Sequence, residues 1–396
     1  MNQHRSCLPA APSRHSSPRQ RRQHSPRSFS ARLAICTGLA LAALALAGCT
    51  SISYYAQAAH GQFSLLAQAR PFDDWINDPE AKPALKSKLE TVREIRHFAV
   101  AELGLPDNGS YKTYAQLDRP FVLWNVVAAP ELSLKAHQWC FPVAGCVDYR
   151  GYYSQQAAQD YGGQLKQQGY DVQVVGVPAY STLGWFNDPV ISTFINYPDG
   201  ELARLVFHEL AHQKVYARDD TPFNEGFAVA VEEIGVDRWL TARHDDKMVE
   251  AYRRFDARKQ DFLALLDKYR DRLEANYDSP ATDAEKRARK QEIFGQLRAE
   301  YAQMKAQRWN GYAGYDRWFA MPLSNAHLAL VGAYHDLVPA FKALFAQSRD
   351  FPDFYARVKR LAEMDKAARH AALGDPLPDD AAKTGRKDRK AERTPL

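Results

Sequence analysis

Two histidines four positions apart, with a glutamate beside the first, are the residues of this chain best suited to chemistry. They are His208, Glu209 and His212. In a helix, residues four apart lie on one face, so both imidazoles point the same way. Two such imidazoles can bind one zinc ion, and Glu209 can accept a proton from a zinc-bound water. The alternative is an ordinary amphipathic helix with two surface histidines.

The segment around these residues has the pattern of a helix. Residues 198–200, Pro-Asp-Gly, precede it as a start signal. Apolar residues then recur at helical spacing, which predicts a buried face next to the histidines. These apolar positions are Leu202, Leu205, Val206, Leu210 and Ala211.

A third ligand is predicted a dozen residues later. Catalytic zinc usually has three protein ligands and one open position, and a carboxylate is a common third ligand. Residues 219–222, Asp-Asp-Thr-Pro, have the character of a loop followed by a helix start, which puts Glu225 in the first turn of a second helix. An antiparallel return would bring Glu225 beside the two histidines. The sequence therefore predicts one zinc ion per chain, held by His208, His212 and Glu225.

The segments that carry these residues resemble those of the gluzincin metallopeptidases. Residues 224–228 read Asn-Glu-Gly-Phe-Ala, which is similar to the third-ligand segment of the M1-type aminopeptidases, where it also follows a His-Glu-x-x-His-Gln string. This likeness covers only residues 205–233, and the spacer here is shorter than in the M1 enzymes. From about residue 46 to about residue 370, the chain is more closely similar to a bacterial family of predicted aminopeptidases, many of them lipoproteins.

The resemblance implies a zinc-dependent aminopeptidase whose Glu209 activates a zinc-bound water for attack on the scissile carbonyl of a peptide. The M1 string has a glutamate at the offset of Glu232, which implies that Glu232 supports a zinc ligand; a solvated carboxylate is the alternative. Asn224 would cap the helix or hold a neighbouring group. Two other functions stay open: a zinc endopeptidase of the cell envelope, and a non-enzymatic envelope lipoprotein that binds zinc.

Three further residues are candidates for binding the substrate. M1-type enzymes have a Gly-x-Met-Glu-Asn segment before the metal helix, whose carboxylate binds the free amino group of the substrate. This chain lacks that segment, and Asp188 is the nearest acidic residue in a comparable place; a loop or helix-capping aspartate is the alternative. Tyr180 and Tyr152 have phenols that suit the stabilisation of an oxyanion, although most of the 20 tyrosines must have packing roles.

Residues 1–48 have the composition of a lipoprotein signal peptide. An arginine-rich start is followed by an apolar run over 33–47, which is too short for a comfortable membrane span. Residues 46–49 read Leu-Ala-Gly-Cys and resemble the bacterial lipobox, which implies cleavage before Cys49 and lipid attachment to it; an uncleaved signal anchor is the alternative. Thr50 follows in place of the aspartate of inner-membrane lipoproteins. The resemblance therefore favours the outer membrane, facing the periplasm.

Charge and cysteine content restrict the possible partners. The formal net charge is +5, but seven arginines and no Lys, Asp or Glu lie in residues 1–48, so the remaining chain has a formal charge of −2. The basic isoelectric point therefore gives no reason to expect a nucleic-acid partner. Cys140 and Cys146, six positions apart in an exported chain, predict a disulfide; a zinc-binding pair is the alternative.

We predict an α+β fold in which a small sheet and a gluzincin-type metal helix precede a mostly helical C-terminal half. The strand over 172–180 is expected at the edge of the sheet, where a peptide could be added to it, rather than at its centre. The predicted metallopeptidase domain spans 49–375, and a disordered tail spans 376–396. Its parts are an N-terminal helical part (51–108), a sheet region (119–182), the metal helices (199–235), a charged helical hairpin (244–307) and C-terminal helices (323–370).

Overall fold

The computed structural model describes residues 53–141 and 145–374. The predictions for the signal peptide, for lipidation at Cys49 and for the tail over 376–396 lie outside these residues. Among the described helices, none is long and apolar enough to cross a bilayer. The described residues from 57 to 374 belong to one compact unit.

The described elements alternate between short strands and helices in the first half and are all helical in the second half. In chain order they are α1 (53–68), β1 (Arg70–Pro71), α2 (Phe72–Ile76), α3 (Pro83–Ala101), β2 (Thr113–Ala115), β3 (Leu123–Pro130), β4 (Trp139–Phe141), β5 (Gly145–Val147), β6 (Arg150–Tyr152), α4 (Gln155–Gln167), β7 (Tyr170–Val177), β8 (Val190–Ile191), α5 (Asp199–His212), α6 (Thr221–Arg243), α7 (Asp246–Asp278), α8 (Asp283–Gln307), α9 (Asp316–Phe319), α10 (Asn325–His335), α11 (Val338–Ala346), α12 (Phe351–Ala362) and α13 (Lys366–Gly374).

The described strands form three small sheets, not the single sheet that the sequence predicts. The largest is antiparallel, with the order β6-β3-β7. The hairpin β4-β5 is closed by the disulfide between Cys140 and Cys146. The third sheet, β1-β2-β8, was missed because strands of two or three residues are too short to show an alternating pattern.

Helices cover both faces of the β6-β3-β7 sheet. On one face, α4 comes close to β7 at Gly162, where a Cβ atom would lie 3.1 Å from Val174. On the other face, α10 begins where the Asn325 amide N–H donates to the Asp171 carboxylate at 2.8 Å. Strand β7 pairs with β3 alone among the described strands, so it lies at an edge of its sheet, as predicted, and a central position is wrong.

The hairpin of α5 and α6 lies at the centre of the larger apolar core. Helix α6 is buried along most of its length, which explains why its sequence is apolar on nearly every side. Gly235 allows α6 to lie close to its neighbours, because a Cβ there would be 2.7 Å from Leu103 and 2.9 Å from Phe207. Helices α7 and α8 form the predicted charged hairpin, around a second apolar cluster that includes Leu266 and Leu297.

The first turn of α6 is held in place by a buried ion pair. Asp220 is the N-cap residue, and its side chain accepts a hydrogen bond from the Phe223 amide at 3.3 Å. The same carboxylate lies 2.7 Å from the Arg369 guanidinium and 2.9 Å from Nε2 of His370, both on α13. Helix α13 therefore fixes the end of α6 that carries Glu225.

Arg369→Ala is expected to lower the free energy of unfolding by about 3–5 kcal/mol, because it leaves the buried Asp220 carboxylate without its closest partner. Urea unfolding measures the change. Lys366→Ala is the matched control: its side chain is 50% exposed and its Nζ lies 3.8 Å from the same carboxylate, so a loss below about 1 kcal/mol is expected. Equal losses in the two variants would contradict the assignment.

Candidate metal centre

Two histidines of α5 and one glutamate of α6 bring three ligand atoms together. Nε2 of His208 lies 3.1 Å from Nε2 of His212. Oε2 of Glu225 lies 3.3 Å from the first of these atoms and 3.5 Å from the second. Tetrahedral ligands about 2.0–2.1 Å from a zinc ion are themselves about 3.3–3.4 Å apart. The three atoms therefore fit one face of a zinc coordination tetrahedron.

The donor chemistry of the triad also suits a divalent cation. The two ring nitrogens face each other, and an unprotonated ring nitrogen has a lone pair that can bind a metal ion. Burial by itself raises the pKa of Glu225, but the two neighbouring imidazoles outweigh it and hold the pKa well below its usual range. Glu225 is therefore an anionic oxygen donor beside two imidazole donors, the kind of set that catalytic zinc sites use.

A fully buried carboxylate lies behind His208. Glu232, at 0% exposure, has its Oε2 2.8 Å from Nδ1 of His208, a close polar contact without the alignment of a regular hydrogen bond. The Arg204 guanidinium donates to both of its oxygens, at 3.1 and 3.2 Å, and Lys259 lies 3.4 Å away. Burial raises the pKa of Glu232, but Arg204 and Lys259 hold it far below its usual range. Glu232 is therefore buried and paired, and the alternative prediction, a solvated carboxylate, is wrong.

Two members of this cluster were missed in the sequence. Arg204 lies four residues before His208 on α5, and this spacing, which puts the two side chains on one face, is the signal that could have identified it. Lys259 belongs to α7, and nothing in its own segment indicates that it reaches Glu232.

Asn224 fixes the loop between the two metal helices. Its side-chain amide accepts a hydrogen bond from the Ala217 N–H and donates one to the Ala217 carbonyl, both at 2.7 Å. The sequence predicts that Asn224 either caps the helix or holds a neighbouring group. It holds a neighbouring group, because the helix cap is Asp220. The residue beside Glu225 is thereby tied to the chain that leaves His212.

Glu209 follows His208 on α5 and is a partly buried residue. Burial raises its pKa above the usual value, against the opposing effect of His208 and His212. A carboxylate with a raised pKa is better suited to accepting a proton near neutral pH. The triad and Glu209 together can therefore bind a cation and accept a proton beside it.

Tyr111 and Asp188 lie within electrostatic range of Glu209. Burial, and then the charges of Glu209 and Asp188, raise the pKa of Tyr111 well above its usual value. The Tyr111 N–H donates to the Asp188 carbonyl at 2.6 Å, and Tyr111 has a φ of 60°, a strained value for a residue with a side chain. The sequence gives no sign of this position for Tyr111, because a single tyrosine in a loop carries no pattern.

Asp188 is a buried carboxylate with one unpaired oxygen. Its Oδ2 accepts hydrogen bonds from the amide and the hydroxyl of Thr182, at 2.8 and 3.0 Å. Its Oδ1 is buried without a hydrogen-bond partner in the described structure. Burial is the largest cause that raises the pKa of Asp188 to about 6, and the charge of Glu209 adds to it. The structure thus places this predicted substrate-binding residue within electrostatic range of Glu209.

The two tyrosines predicted to stabilise an oxyanion are engaged elsewhere. The Tyr180 hydroxyl is hydrogen-bonded to the Tyr153 hydroxyl at 2.7 Å and to the Gln62 side chain, so its single proton is already used. The Tyr152 ring lies 5.8 Å from the ring of Tyr161, on the face of the sheet that α4 covers. The structure therefore gives no support to either role.

The disulfide hairpin contacts the loop between the metal helices. The Cys146 amide donates to Oδ1 of Asp219 at 2.6 Å, one residue before the cap of α6. Gly145 makes this approach possible, because a Cβ there would lie 2.3 Å from the same oxygen. Cys140 and Cys146 therefore help to fix the loop that precedes Glu225. Cys49, the predicted lipid site, lies outside the described residues.

Comparison with known proteins gives one family. The family whose sequence model matches the chain is described as "Putative aminopeptidase", and the match covers residues 53–373, which is most of the chain. No curated protein and no solved structure matches the chain significantly.

Glu232→Gln is expected to weaken zinc binding about 10–100-fold, because His208 loses the anion that orients its ring. Competition with a chromophoric chelator measures the affinity. Glu233→Gln is the matched control, because Glu233 pairs with Lys342 and Lys259 instead of with His208, and its zinc affinity should equal that of the wild type. An unchanged affinity in Glu232→Gln would contradict the role given to Glu232.

Proposed function

The chain belongs to the family described as "Putative aminopeptidase", and from this premise we propose that it is a zinc-dependent aminopeptidase of the gluzincin type. The family description supports peptidase activity. Zinc dependence is inferred from one observation, the convergence of the His208, His212 and Glu225 ligand atoms at 3.1–3.5 Å beside Glu209. We propose one zinc ion per chain.

The three ligands suit a catalytic site better than a structural one. A structural zinc site usually has four protein ligands, whereas the described residues that converge here number three. Zinc held by them would polarise the scissile carbonyl and make the attacking water more acidic. Glu209 has no place among the ligands, and a purely structural site has no use for it. This observation disfavours a non-enzymatic zinc protein.

The protein side chains would divide the remaining work among them. Glu209 would take the proton from the attacking water and deliver it to the leaving amine nitrogen. Glu232, held by Arg204 and Lys259, would keep the His208 ring turned so that Nε2 faces the metal. Asn224 and Asp220 would keep Glu225 in place through the loop and the helix cap.

Asp188 would bind the free amino group of the substrate. An exopeptidase needs an anionic group to hold the α-ammonium, and the buried Oδ1 of Asp188 lacks a donor among the described residues. The electrostatic coupling of Asp188 to Glu209 supports a position near the reacting groups. An amino group that supplied the missing hydrogen bond would remove the cost of the unpaired oxygen.

We further propose that the protein is attached to the bacterial cell envelope. The lipobox-like residues 46–49 support lipid attachment to Cys49, and Thr50 after it supports the outer membrane, facing the periplasm.

Glu209→Gln is expected to lower kcat/KM for peptides by about 10²–10⁴-fold, because an amide cannot accept the proton. Peptide hydrolysis and zinc content are measured on the same sample. Zinc content should stay at the wild-type level, since Glu209 is not a ligand. Hydrolysis at the wild-type rate with full zinc content would rule out the proposed role of Glu209.

Asp188→Asn is expected to lower kcat/KM for peptides with a free N-terminus by about 10–100-fold, because the variant loses one charged hydrogen bond to the substrate. Wild type should cleave these peptides and leave their N-acetylated forms intact. Asp107→Asn is the control, because that carboxylate is 64% exposed and pairs with Lys112. Efficient internal cleavage of acetylated peptides by the wild type would contradict aminopeptidase activity and indicate an endopeptidase.

A further inference from the structure

Three large aromatic side chains are exposed side by side on the compact unit that begins at residue 57. Phe63 on α1 is 61% exposed, and Trp185 and Phe186, in the loop before β8, are 71% and 39% exposed. The rings of Phe63 and Phe186 meet edge to face with their centroids 6.1 Å apart. Side chains of this size are usually buried, so a group of them at the surface points to a binding surface.

The two chain segments that carry these residues contain no acidic or basic side chains. Residues 49–69 and 180–187 contain no Asp, Glu, Lys or Arg, although 25% of the residues of the chain are charged. The exposed face of α1 presents Ala59, Phe63 and Ala67 at intervals of four residues, while Leu65 faces the core. We define the aromatic patch as Phe63, Trp185 and Phe186.

The loop that carries two of the three aromatic residues is held by hydrogen bonds. The Trp185 amide donates to the Thr182 carbonyl at 3.1 Å, and the Phe186 amide donates to the Thr182 hydroxyl at 3.1 Å. Leu183 and Gly184 both have a positive φ, 57° and 82°. The structure therefore presents the two rings outward on a defined turn.

We propose that the aromatic patch docks onto a lipid bilayer, with its rings in the interfacial region. Tryptophan and other aromatic side chains favour the membrane–water interface, and an uncharged surface avoids the cost of removing charges from water. A lipid on Cys49 would hold the chain at the membrane. The patch would fix which face of the protein lies against the bilayer.

The position of the patch in the sequence selects the membrane as its partner. Phe63 lies fourteen residues after Cys49 and ten residues into α1, which corresponds to about 15 Å along the helix. A lipid on Cys49 would therefore keep the patch close to the bilayer. The C-terminal segment over 376–396 does not suit the patch, because it holds six Lys and Arg residues and few apolar ones.

The inference rests on the proposed lipidation of Cys49 and is independent of peptide hydrolysis. The turn that carries Trp185 ends at Asp188, whose carboxylate accepts from Thr182. Docking would thus place this edge of the proposed active site next to the membrane surface.

Trp185 is a built-in probe for the test, because it is the exposed one of the seven tryptophans, all of which are described. The full chain is produced in a bacterial host, purified in detergent and reconstituted into phosphatidylcholine vesicles with acyl chains brominated close to the head group. Bromine quenches tryptophan fluorescence only at short range. We expect the brominated vesicles to lower the fluorescence by at least a tenth relative to unbrominated ones.

Two single variants identify the source of the signal. Trp185→Phe, which keeps an aromatic ring in the patch, should abolish the quenching by brominated lipid. Trp75→Phe is the matched control, because Trp75 is half-buried against Tyr114, and it should leave the quenching unchanged. Quenching that survives in Trp185→Phe would overturn the proposal.

A double variant tests the patch while it leaves the anchor intact. Phe63→Ser with Phe186→Ser should still sediment with the vesicles, but brominated lipid should quench Trp185 at most half as strongly as in the wild type. Vesicle-attached wild type whose Trp185 is quenched by iodide in the water and not by brominated lipid would overturn the proposal. So would a wild-type chain that does not sediment with vesicles.

Discussion

The buried Glu232 carboxylate is the constraint on which the geometry of the site depends. A lone carboxylate at 0% exposure costs several kcal/mol to remove from water. Here Arg204 and His208 of α5 and Lys259 of α7 surround it. Because Glu232 itself lies on α6, three helices must meet at one point of the core for the charge to be tolerated. The orientation of the His208 ring, and with it the position of Nε2, follows from that meeting.

The remaining ligands depend on short-range features of the chain. Helical periodicity places His212 one turn after His208, and the loop over 213–220 is short enough to return Glu225 to the same place. Asn224 fixes this loop to α6 through both backbone atoms of Ala217. Asp220, paired with Arg369, fixes the start of α6. The metal triad therefore needs little beyond two helices and the loop between them.

That locality explains how much of the site the sequence reveals. His208, His212 and Glu225 follow from helical spacing and a helix start, and Glu232 follows from the resemblance to the M1 string, which has a glutamate at the same offset. Lys259 reaches Glu232, and Tyr111 comes within electrostatic range of Glu209, from distant segments of the chain, and long-range packing leaves no trace in the local pattern. The predictions for Tyr180 and Tyr152 gained no support because residue type alone says nothing about which partner holds a phenol.

The fold, like the site, has parts that follow from local sequence patterns and parts that depend on long-range packing. The long helices follow from apolar periodicity, and the edge position of β7 follows from the proline after it. The sheet β1-β2-β8 and the hairpin β4-β5 consist of strands of two or three residues, whose pairing is decided by tertiary contacts. Within the predicted sheet region, β5 ends at Val147 and β6, which belongs to a different sheet, begins only three residues later at Arg150.

X-ray absorption spectroscopy at the zinc edge of the purified, zinc-loaded protein tests the central claim most directly. The account predicts one tightly bound zinc ion per chain with nitrogen and oxygen ligands at about 2.0–2.1 Å, among them two imidazoles, and the loss of one imidazole signal in His212→Ala. A zinc ion with sulfur ligands, or one whose spectrum does not change in His212→Ala, would contradict the account.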